Sequence, residues 1–395
     1  MAHNKFLPRV LAAAAAMMLL AGCGSKADPR FSPVNPVNIT IWTYYNGEQL
    51  EAFNALVDEF NSTVGKEQGI TVESSSHGSV TDLENNVLAS AEGKVGAEAM
   101  PNIFSAYADT AYALDEMGQI ADLSDYLSEE DRAAFIEDYL SEGDFSGSGS
   151  IKIFPVAKSA ELLFLNETDW EPFAAATGAT YDDLATIEGL VSVAERYYEW
   201  TDAQTPDIPN DGRAFFGRDA MANYMLIGAK QLSCTIFDAQ DSSMTLNFDH
   251  DTVRPLWDNY YVPFIKGYFS ASGRFRSDDV KTGNIIAYVG SSSSATFFPT
   301  QVIADDMDSH DITRKALESP KFANGEDYAV QQGAGMVILK KSDAEVEASV
   351  RFLKWFTQSD WSIEFCVGSS YMPVTGEYND IARIERSSPS MKPAV

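Results

Sequence analysis

The sequence is poor in basic residues, histidine and cysteine. Its 395 residues include 28 lysines and arginines against 58 aspartates and glutamates, only 4 histidines and 3 cysteines, and the formal net charge is -30. This balance argues against nucleic acid or an anionic membrane as a partner held by bulk electrostatics. The chain is longer than one hydrophobic core usually serves, and 45% of its residues are hydrophobic. We therefore expect two lobes.

The sequence also lacks the common signatures of an active site. It contains no H-E-x-x-H, no G-x-S-x-G and no phosphate-loop consensus, and His77, His250 and His310 lie far apart. Asp249, His250 and Asp251 offer metal-ligand chemistry, but a helix-capping turn explains them equally well. We predict no enzyme, cofactor or metal. A glycosidase stays open as an alternative, because its two carboxylates have no fixed spacing in sequence.

No apolar run is long enough to cross a bilayer as a helix. The run Val10–Ala21 is too short and follows Lys5 and Arg9, which is typical of a secretory signal. It ends in Leu20-Ala21-Gly22-Cys23, which resembles the bacterial lipobox, whose cysteine receives a diacylglyceryl group. The resemblance implies a signal peptide over residues 1–22, and then a lipidated Cys23 with a tether over residues 23–37. The protein is then expected outside the cytoplasm, anchored to the cell membrane by its acyl chains.

Strands and helices alternate after this tether. Residues 38–42 alternate as a strand, residues 48–60 have helical spacing, and residues 70–72 indicate a second strand, which together make a βαβ unit. A helix from Val80 to Ala91 and a strand near residues 101–107 repeat the pattern. Because ligands of open α/β sheets bind beyond the carboxyl ends of the strands, residues in those loops are candidates for a binding site.

The candidate site residues are aromatic or polar and fall at or near predicted strand ends. A sugar presents apolar C–H faces and a rim of hydroxyl groups, so its site combines aromatic platforms with amide, hydroxyl and charged side chains. The aromatic candidates are Trp42, Tyr44, Tyr45, Tyr107 and Tyr371, with Phe297 and Phe298 nearby. The polar candidates are Lys158, Arg218, Ser291, Ser292, Ser293 and Gln332.

The stretch from Ile151 to Asn166 joins the two predicted α/β regions. It contains Phe154-Pro155-Val156-Ala157-Lys158-Ser159, followed by an apolar strand and an asparagine. This pattern resembles the first interlobe strand of bacterial extracellular solute-binding proteins, the receptors of ABC importers for sugars and glycerol phosphate. The resemblance implies an α/β fold of the two-lobe periplasmic-binding-protein type, with hinge crossovers and an interlobe ligand cleft.

Further landmarks of that family follow in order. Lys281-Thr-Gly before an apolar strand is similar to the turn that precedes the second interlobe strand, and Gly368 to Thr375 is similar to the late Gly-x-x-Pro turn. The resemblance places an N-terminal lobe at residues 38–158 plus 292–340. A C-terminal lobe is placed at residues 165–287 plus 344–395. The crossovers are then expected at residues 159–164, 288–291 and 341–343.

The resemblance also implies the function and the partners. The chain is expected to capture a carbohydrate-type solute and deliver it to a membrane permease with its ATPase. A glycerol-phosphate or glycerophosphodiester receptor is the alternative of the same type, since Ser291 to Ser294 with Lys158 would suit a phosphate. An adhesive cell-surface lipoprotein is the alternative from another class.

Two cysteines remain besides Cys23. Cys234 and Cys366 form an even pair in a chain expected to be exported. The two-lobe assignment puts both in the C-terminal lobe, so a disulfide between them stays open.

Overall fold

Two four-stranded sheets organise the fold. The computed structural model of the chain describes residues 28–240, 243–303 and 309–387. Its strands are β1 (Val37–Thr43), β2 (Ile70–Ser76), β3 (Ile103–Ala106), β4 (Glu161–Asn166), β5 (Phe216–Arg218), β6 (Phe237–Gln240), β7 (Ser243–Leu246), β8 (Ala287–Ser291), β9 (Gln301–Val302), β10 (His310–Asp311), β11 (Arg314–Glu318) and β12 (Gly335–Ile338).

Helices cover both sheets. They are α1 (Gly47–Ser62), α2 (Val64–Gln68), α3 (Val80–Ala91), α4 (Ala108–Glu116), α5 (Glu129–Ala134), α6 (Glu137–Leu140), α7 (Glu167–Thr177), α8 (Ile187–Asp202), α9 (Met221–Gln231), α10 (His250–Ile265), α11 (Arg276–Lys281), α12 (Asp343–Thr357), α13 (Asp360–Ser369) and α14 (Ile381–Ser387). Short 3-10 helices lie at Ser141–Gly143, Tyr181–Leu184 and Ser292–Phe297.

The first sheet has the order β12-β3-β1-β2, with β1 parallel to both β2 and β3 and with β12 antiparallel to β3. The predicted βαβ unit is thereby confirmed. Helix α1 buries Phe53, Leu56, Val57 and Phe60, whose spacing puts them on one face against the sheet. Each such side chain stabilises the fold by roughly 1.5–3 kcal/mol when it leaves water.

The second sheet has the order β11-β4-β8-β5. Strand β4 lies inside it between two antiparallel neighbours, and Leu163, Phe164 and Leu165 are all fully buried. Helices and loops cover both faces, which is why this strand is a continuous apolar run rather than an alternating one. The apolar strand predicted to follow Ser159 and to lead to Asn166 is confirmed. We call residues 28–158 and 332–387 the first lobe and residues 161–330 the second lobe, within the described ranges.

The described chain passes between the lobes in two places. On the outward passage, Phe154 pairs with Met336 of the first sheet, and Glu161 pairs with Ser291 of the second. The crossover predicted at 159–164 is therefore too long, because residues 161–164 already belong to an inner strand of the second sheet. The return passage follows β11 and ends at Gln332, which pairs with Ser159. The crossover predicted at 288–291 is wrong, because these residues form an inner strand of the second sheet and the following 3-10 helix buries Ala295 in the same lobe.

The C-terminal helices belong to the first lobe. Val346 and Phe352 of α12 share a hydrophobic cluster with Ile39 and Phe53, so residues 344–387 do not pack on the second lobe as predicted. A crossover at 341–343 is therefore wrong as well, and so is the assignment of β11 to the N-terminal lobe, since β11 pairs with β4. An amphipathic pattern shows that one face is buried, but not against which sheet.

Three further predictions concern cysteines, tether and membrane. Cys234 and Cys366 are free thiols that lie in the clusters of different lobes, so the disulfide is not formed.

The lipidation residue Cys23 lies outside the described residues. The tether predicted up to residue 37 is too long, because Phe31 packs on the first-lobe core. In the described part of the chain, no helix has both the length and the apolar character to cross a membrane.

Candidate functional site

A cleft of about 990 Å³ lies between the lobes. Residues that follow β1 and β2 line it from the first lobe, and residues that follow β5 and β8 line it from the second. The carboxyl ends of parallel strands thus face each other across the cleft, as expected for ligand sites of α/β sheets. The lining residues are Tyr44, Asn46, Gly78, Ser79, Val80, Asp219, Arg274, Phe275, Ser277, Asp278, Lys281, Ser293, Ser294, Phe297, Pro299, Thr300, Gln301 and Ile303.

The first-lobe wall of the cleft is small and neutral. Tyr44 follows β1 directly, and Asn46 Nδ2 donates to the Gly78 carbonyl oxygen at 3.3 Å. Ser79 is partly used already, because its hydroxyl accepts from Asp82 N at 3.1 Å and caps α3. This wall therefore offers one aromatic ring, one amide and a helix start, and its lining residues carry no charge.

The second-lobe wall carries charge and exposed aromatic rings. Phe275 and Phe297 line the cleft with 53% and 58% of their surfaces exposed. The exposed side chains of Arg274 and Lys281 stand on the same wall. Rings of this kind stack on apolar faces of a ligand, whereas the cations attract anionic groups.

Asp219 stands at the base of the second-lobe wall. Its Oδ1 accepts from the backbone N of Arg276 at 2.9 Å, and the Arg276 guanidinium lies 4.0 Å away. Burial raises the pKa of Asp219 against the opposing effect of the Arg276 contacts. A Cβ at Gly290 would lie 2.6 Å from Asp219 Oδ2, so only glycine leaves room for this carboxylate.

The serine run after β8 has mostly structural contacts. Ser291 Oγ donates to Ser159 Oγ and lies 2.9 Å from Ser293 Oγ. Ser292 donates through its hydroxyl to the Ser370 carbonyl oxygen at 2.9 Å and so links the second lobe to the first. Of the three predicted serines, Ser293 alone lines the cleft.

The family assignment rests on a sequence comparison. A family model described as bacterial extracellular solute-binding protein matches residues 55–392. The chain belongs to this family. A comparison with curated proteins finds no match. The family consists of solute-binding proteins, and its description places them outside the cytoplasm.

Solved structures of binding proteins share the fold. The cyclic alpha-maltosyl-1,6-maltose binding protein of Arthrobacter globiformis matches with a TM-score of 0.69 and 17% identity, over 90% of this chain and 84% of that one. UgpB of Mycobacterium tuberculosis, in complex with glycerophosphocholine, matches at 0.68 and 15%, over 90% and 85%. Lmo0181 of Listeria monocytogenes, in complex with cycloalternan, matches at 0.68 and 16%, over 91% and 84%. At these identities the likeness establishes the two-lobe fold alone.

Three predicted tyrosines of this solute-binding protein lie close together at the first-lobe wall of the cleft. The hydroxyl oxygens of Tyr44 and Tyr371 are 3.5 Å apart, and Tyr371 stacks on Phe365. Tyr107 is half-buried beside Tyr371, and burial raises the pKa of Tyr107 to about 12. Tyr44 alone of these three lines the cleft. Its contact with a solute stays a prediction.

Lys158 lies beneath the wall rather than on it. Its side chain is fully buried, forms an ion pair with Glu142, and donates to the Gly333 carbonyl oxygen at 3.0 Å. Gly333 has a φ of +93°, a conformation that favours glycine, and a Cβ at this position would lie 2.8 Å from the Ala157 carbonyl oxygen. All contacts of the ammonium group are therefore made within the protein.

Arg218 also has a buried partner. Its Nη2 lies 2.9 Å from Glu161 Oε2, and its guanidinium stands 5.2 Å from the centre of the Tyr224 ring. Asn223 Nδ2 donates to the other oxygen of Glu161 at 3.1 Å. Arg218, predicted as a solute-binding residue, does not line the cleft, because a carboxylate on β4 compensates its charge inside the lobe.

The remaining candidates are core or junction residues. Trp42 is buried against the His77 ring with centroids 4.5 Å apart, and Tyr45 packs on Phe53 in the first-lobe core. Gln332 forms a two-way backbone pair with Ser159, and its side-chain Oε1 is buried without a described partner. These three side chains do not line the cleft.

Sequence reasoning missed Asp219, Arg274, Phe275 and Lys281 as lining residues. Asp219 directly follows β5. The expectation that ligands bind beyond the carboxyl ends of strands, which selected Tyr44, therefore applies to Asp219 as well; we call it the strand-end rule. Phe275 stands between two arginines in a polar segment, where an aromatic ring has no core to join. Asp249, by contrast, caps α10 by accepting from Thr252 N at 2.8 Å, and no metal-binding group of three ligands occurs among the described residues.

Proposed function

We propose that the chain is the extracytoplasmic receptor of an ABC importer and that it captures a neutral saccharide in the interlobe cleft. The observation that carries the proposal is the second-lobe wall, where exposed Phe275 and Phe297 stand among hydroxyl and amide side chains. Stacking rings and hydrogen-bonding groups together match the apolar faces and hydroxyl rims of sugars. Several structural neighbours are named as oligosaccharide-binding proteins or are in complex with an oligosaccharide, and this supports the same solute class.

The charges of the cleft support a neutral solute. Asp219 and Asp278 balance Arg274 and Lys281, so the lining carries no net charge. Lobe closure by a hinge at the two interlobe passages would then enclose the solute. The closed receptor would deliver it to a permease and its ATPase, which are separate chains.

A glycerophosphodiester is the second candidate. Arg274 and Lys281 are exposed cations in the cleft, and the neighbour UgpB is in complex with glycerophosphocholine. Lys158, which suited a phosphate in the sequence, does not support this candidate, since it is buried against Glu142.

Titration calorimetry with oligosaccharides and glycerophosphodiesters at two salt concentrations tests the choice. A neutral saccharide is expected to bind with an affinity that salt hardly changes, whereas a phosphodiester held by Arg274 and Lys281 weakens as salt rises. Tight binding of phosphodiesters alone would replace the saccharide proposal with the second candidate. Binding of neither class would favour the adhesive lipoprotein, and hydrolysis of a bound saccharide would favour the glycosidase.

We further propose that Cys23 is acylated and anchors the receptor to the cell membrane. The support is the lipobox resemblance of Leu20-Ala21-Gly22-Cys23. Two acyl chains hold a protein firmly on a bilayer, whereas one binds marginally. In cells, Cys23→Ser is expected to leave the membrane fraction. Its retention there after a high-salt wash would refute the anchor and leave the solute proposal untouched.

A further inference from the structure

The chain between the lipidation residue and the folded lobe is short. Cys23 and Asp28 are separated by five Cα–Cα steps, which span at most roughly 18 Å when fully extended. The sequence suggested a longer tether that lets the globule stand away from the bilayer. The position at which the lobe first holds the chain therefore decides how far the receptor stands from the membrane.

The first lobe holds the chain from Asp28 onward. The Arg351 guanidinium of α12 lies 4.2 Å from the centre of the Phe31 ring, and its Nη2 lies 3.6 Å from Asp28 Oδ2. Asp28 also pairs with Arg30 at 2.7 Å. Arg351 thus contacts both the first described residue and the first aromatic anchor of the chain.

A backbone contact fixes the same segment a second time. The Ser32 backbone lies so close to Gly69 that a Cβ on Gly69 would be 2.4 Å from Ser32 C. Val37 N then donates to the Gly69 carbonyl oxygen at 2.9 Å as the chain enters β1. Residues 28–37 are consequently part of the lobe surface and add nothing to the reach of the tether.

The surface next to this segment suits a membrane interface. A shallow groove of about 400 Å³ is lined by Tyr126, Arg351, Lys354, Trp355 and Gln68, among others. Tyrosine and tryptophan are enriched at membrane–water interfaces. Arg351 and Lys354 pair with Glu347 and Asp131, so these four side chains together add no net charge to this face.

We infer that the groove face, defined by α2 and the Arg351–Trp355 part of α12, is the membrane-facing surface of the lipidated receptor, with the phospholipid headgroup layer as its partner. The inference rests on the proposed acylation of Cys23. Strand β1 leads from this face at Val37 to the cleft after Thr43, about 20 Å away for seven residues. The cleft therefore lies at the other end of the sheet and stays free for solute.

Photo-cross-linking of the full-length lipidated protein in vesicles of phosphatidylethanolamine and phosphatidylglycerol tests the inference. The photoreactive residue p-benzoylphenylalanine replaces either Gln68, which is exposed in the groove, or Asp251, which is exposed on the second lobe. We expect the yield of lipid adduct at position 68 to exceed that at position 251 about tenfold. Equal yields would overturn the inference.

Two changes to the tether sharpen the experiment. Insertion of about twenty Gly-Ser residues between positions 27 and 28 adds roughly 25 Å of mean reach and is expected to reduce the adduct at position 68 to the level at position 251. Arg351→Ala removes the contact that holds the N-terminal segment at Phe31, so it should lower the yield of lipid adduct at position 68 in part. Arg254→Ala is the control, because it removes an exposed arginine elsewhere, and it should leave this yield unchanged. If the yield of lipid adduct at position 68 were the same with and without the inserted Gly-Ser residues, this result would also overturn the inference.

The mass of the N-terminal peptide separates this inference from the proposed function. An unacylated Cys23 removes the constraint on reach and refutes the inference. Solute binding by the soluble Cys23→Ser protein is measured independently by calorimetry, so the receptor proposal survives or fails on its own result.

Discussion

The two walls of the cleft differ in what they leave open to a solute. The first lobe offers Tyr44, Asn46 and Ser79, and the Tyr44 and Ser79 side chains already contact protein groups. The second lobe exposes two phenylalanine rings together with both cations of the cleft. If a solute binds in this cleft as proposed, we therefore expect the second lobe to supply most of the affinity and the first lobe to cover a solute that is already bound.

The layers beneath the two walls are alike in chemistry but not in enclosure. Each holds one cation paired with one carboxylate: Lys158 with Glu142 in the first lobe, and Arg218 with Glu161 in the second. The Glu142 side chain is 14% exposed, whereas the Glu161 side chain is 3% exposed. A carboxylate that reaches water tolerates the loss of its partner better, so the second lobe should depend more on its pair.

The largest effect is expected for Arg218→Ala. It leaves the Glu161 carboxylate buried with Asn223 as its remaining described side-chain partner, and loss of one member of a buried pair costs about 3–5 kcal/mol in the free energy of unfolding. Urea unfolding followed by tryptophan fluorescence measures it. Arg254→Ala, which removes an exposed pair with Asp258, is the control and should cost less than about 1 kcal/mol. Similar costs for the two variants would contradict the comparison.

A smaller loss is expected for Lys158→Ala, about 2–3 kcal/mol, because Glu142 gains some hydration. Lys158→Met keeps the apolar stem of the buried side chain and should recover part of the loss. Urea midpoints of both variants provide the measurement. If Lys158→Ala destabilised the protein more than Arg218→Ala, the different exposure of the Glu142 and Glu161 side chains would not determine the cost of losing their partners.

Local elements of the fold could be predicted because their patterns are local. Alternation identified β1, helical spacing identified α1, and the apolar run before Asn166 identified β4. The sheet against which each element packs could not be predicted from such local patterns. The buried face of α12 has the same period whether it covers the first or the second sheet, and only the long-range contact with Ile39 decides the question.

The site was harder to predict than the fold. The strand-end rule selected Tyr44 correctly as a lining residue, but it also selected Tyr45, whose side chain points into the core beside Phe53. Lys158 and Arg218 stood out as cations in an acidic chain, yet Glu142 and Glu161 neutralise them inside the lobes. Such pairing joins residues far apart in sequence, and no spacing rule reveals it.

The affinity for solute should distinguish the two cleft walls. Phe275→Ala removes an exposed ring of the second lobe and is expected to weaken saccharide binding about tenfold, or about 1.4 kcal/mol. Tyr44→Phe keeps the ring of the first lobe and removes a hydroxyl that faces Tyr371, so a change below about threefold is expected. Calorimetry with the best saccharide measures both. A larger loss for Tyr44→Phe would assign the main affinity to the first lobe.

The smallest effect concerns the pH dependence of stability at Asp219. Burial raises its folded-state pKa above the unfolded value of 3.8. As pH rises through 3.8, the unfolded chain therefore loses this proton first, and folding becomes less favourable until the folded carboxyl ionises too. Below pH 3.8 the cost is absent. Asp219→Asn keeps an oxygen for Arg276 N and removes the titration, so its stability relative to wild type should be higher at pH 7 than at pH 3. Urea midpoints of both proteins at the two pH values measure this difference, in which all unchanged groups cancel. An equal difference at both values would show that the second-lobe wall holds the ionised carboxylate without cost.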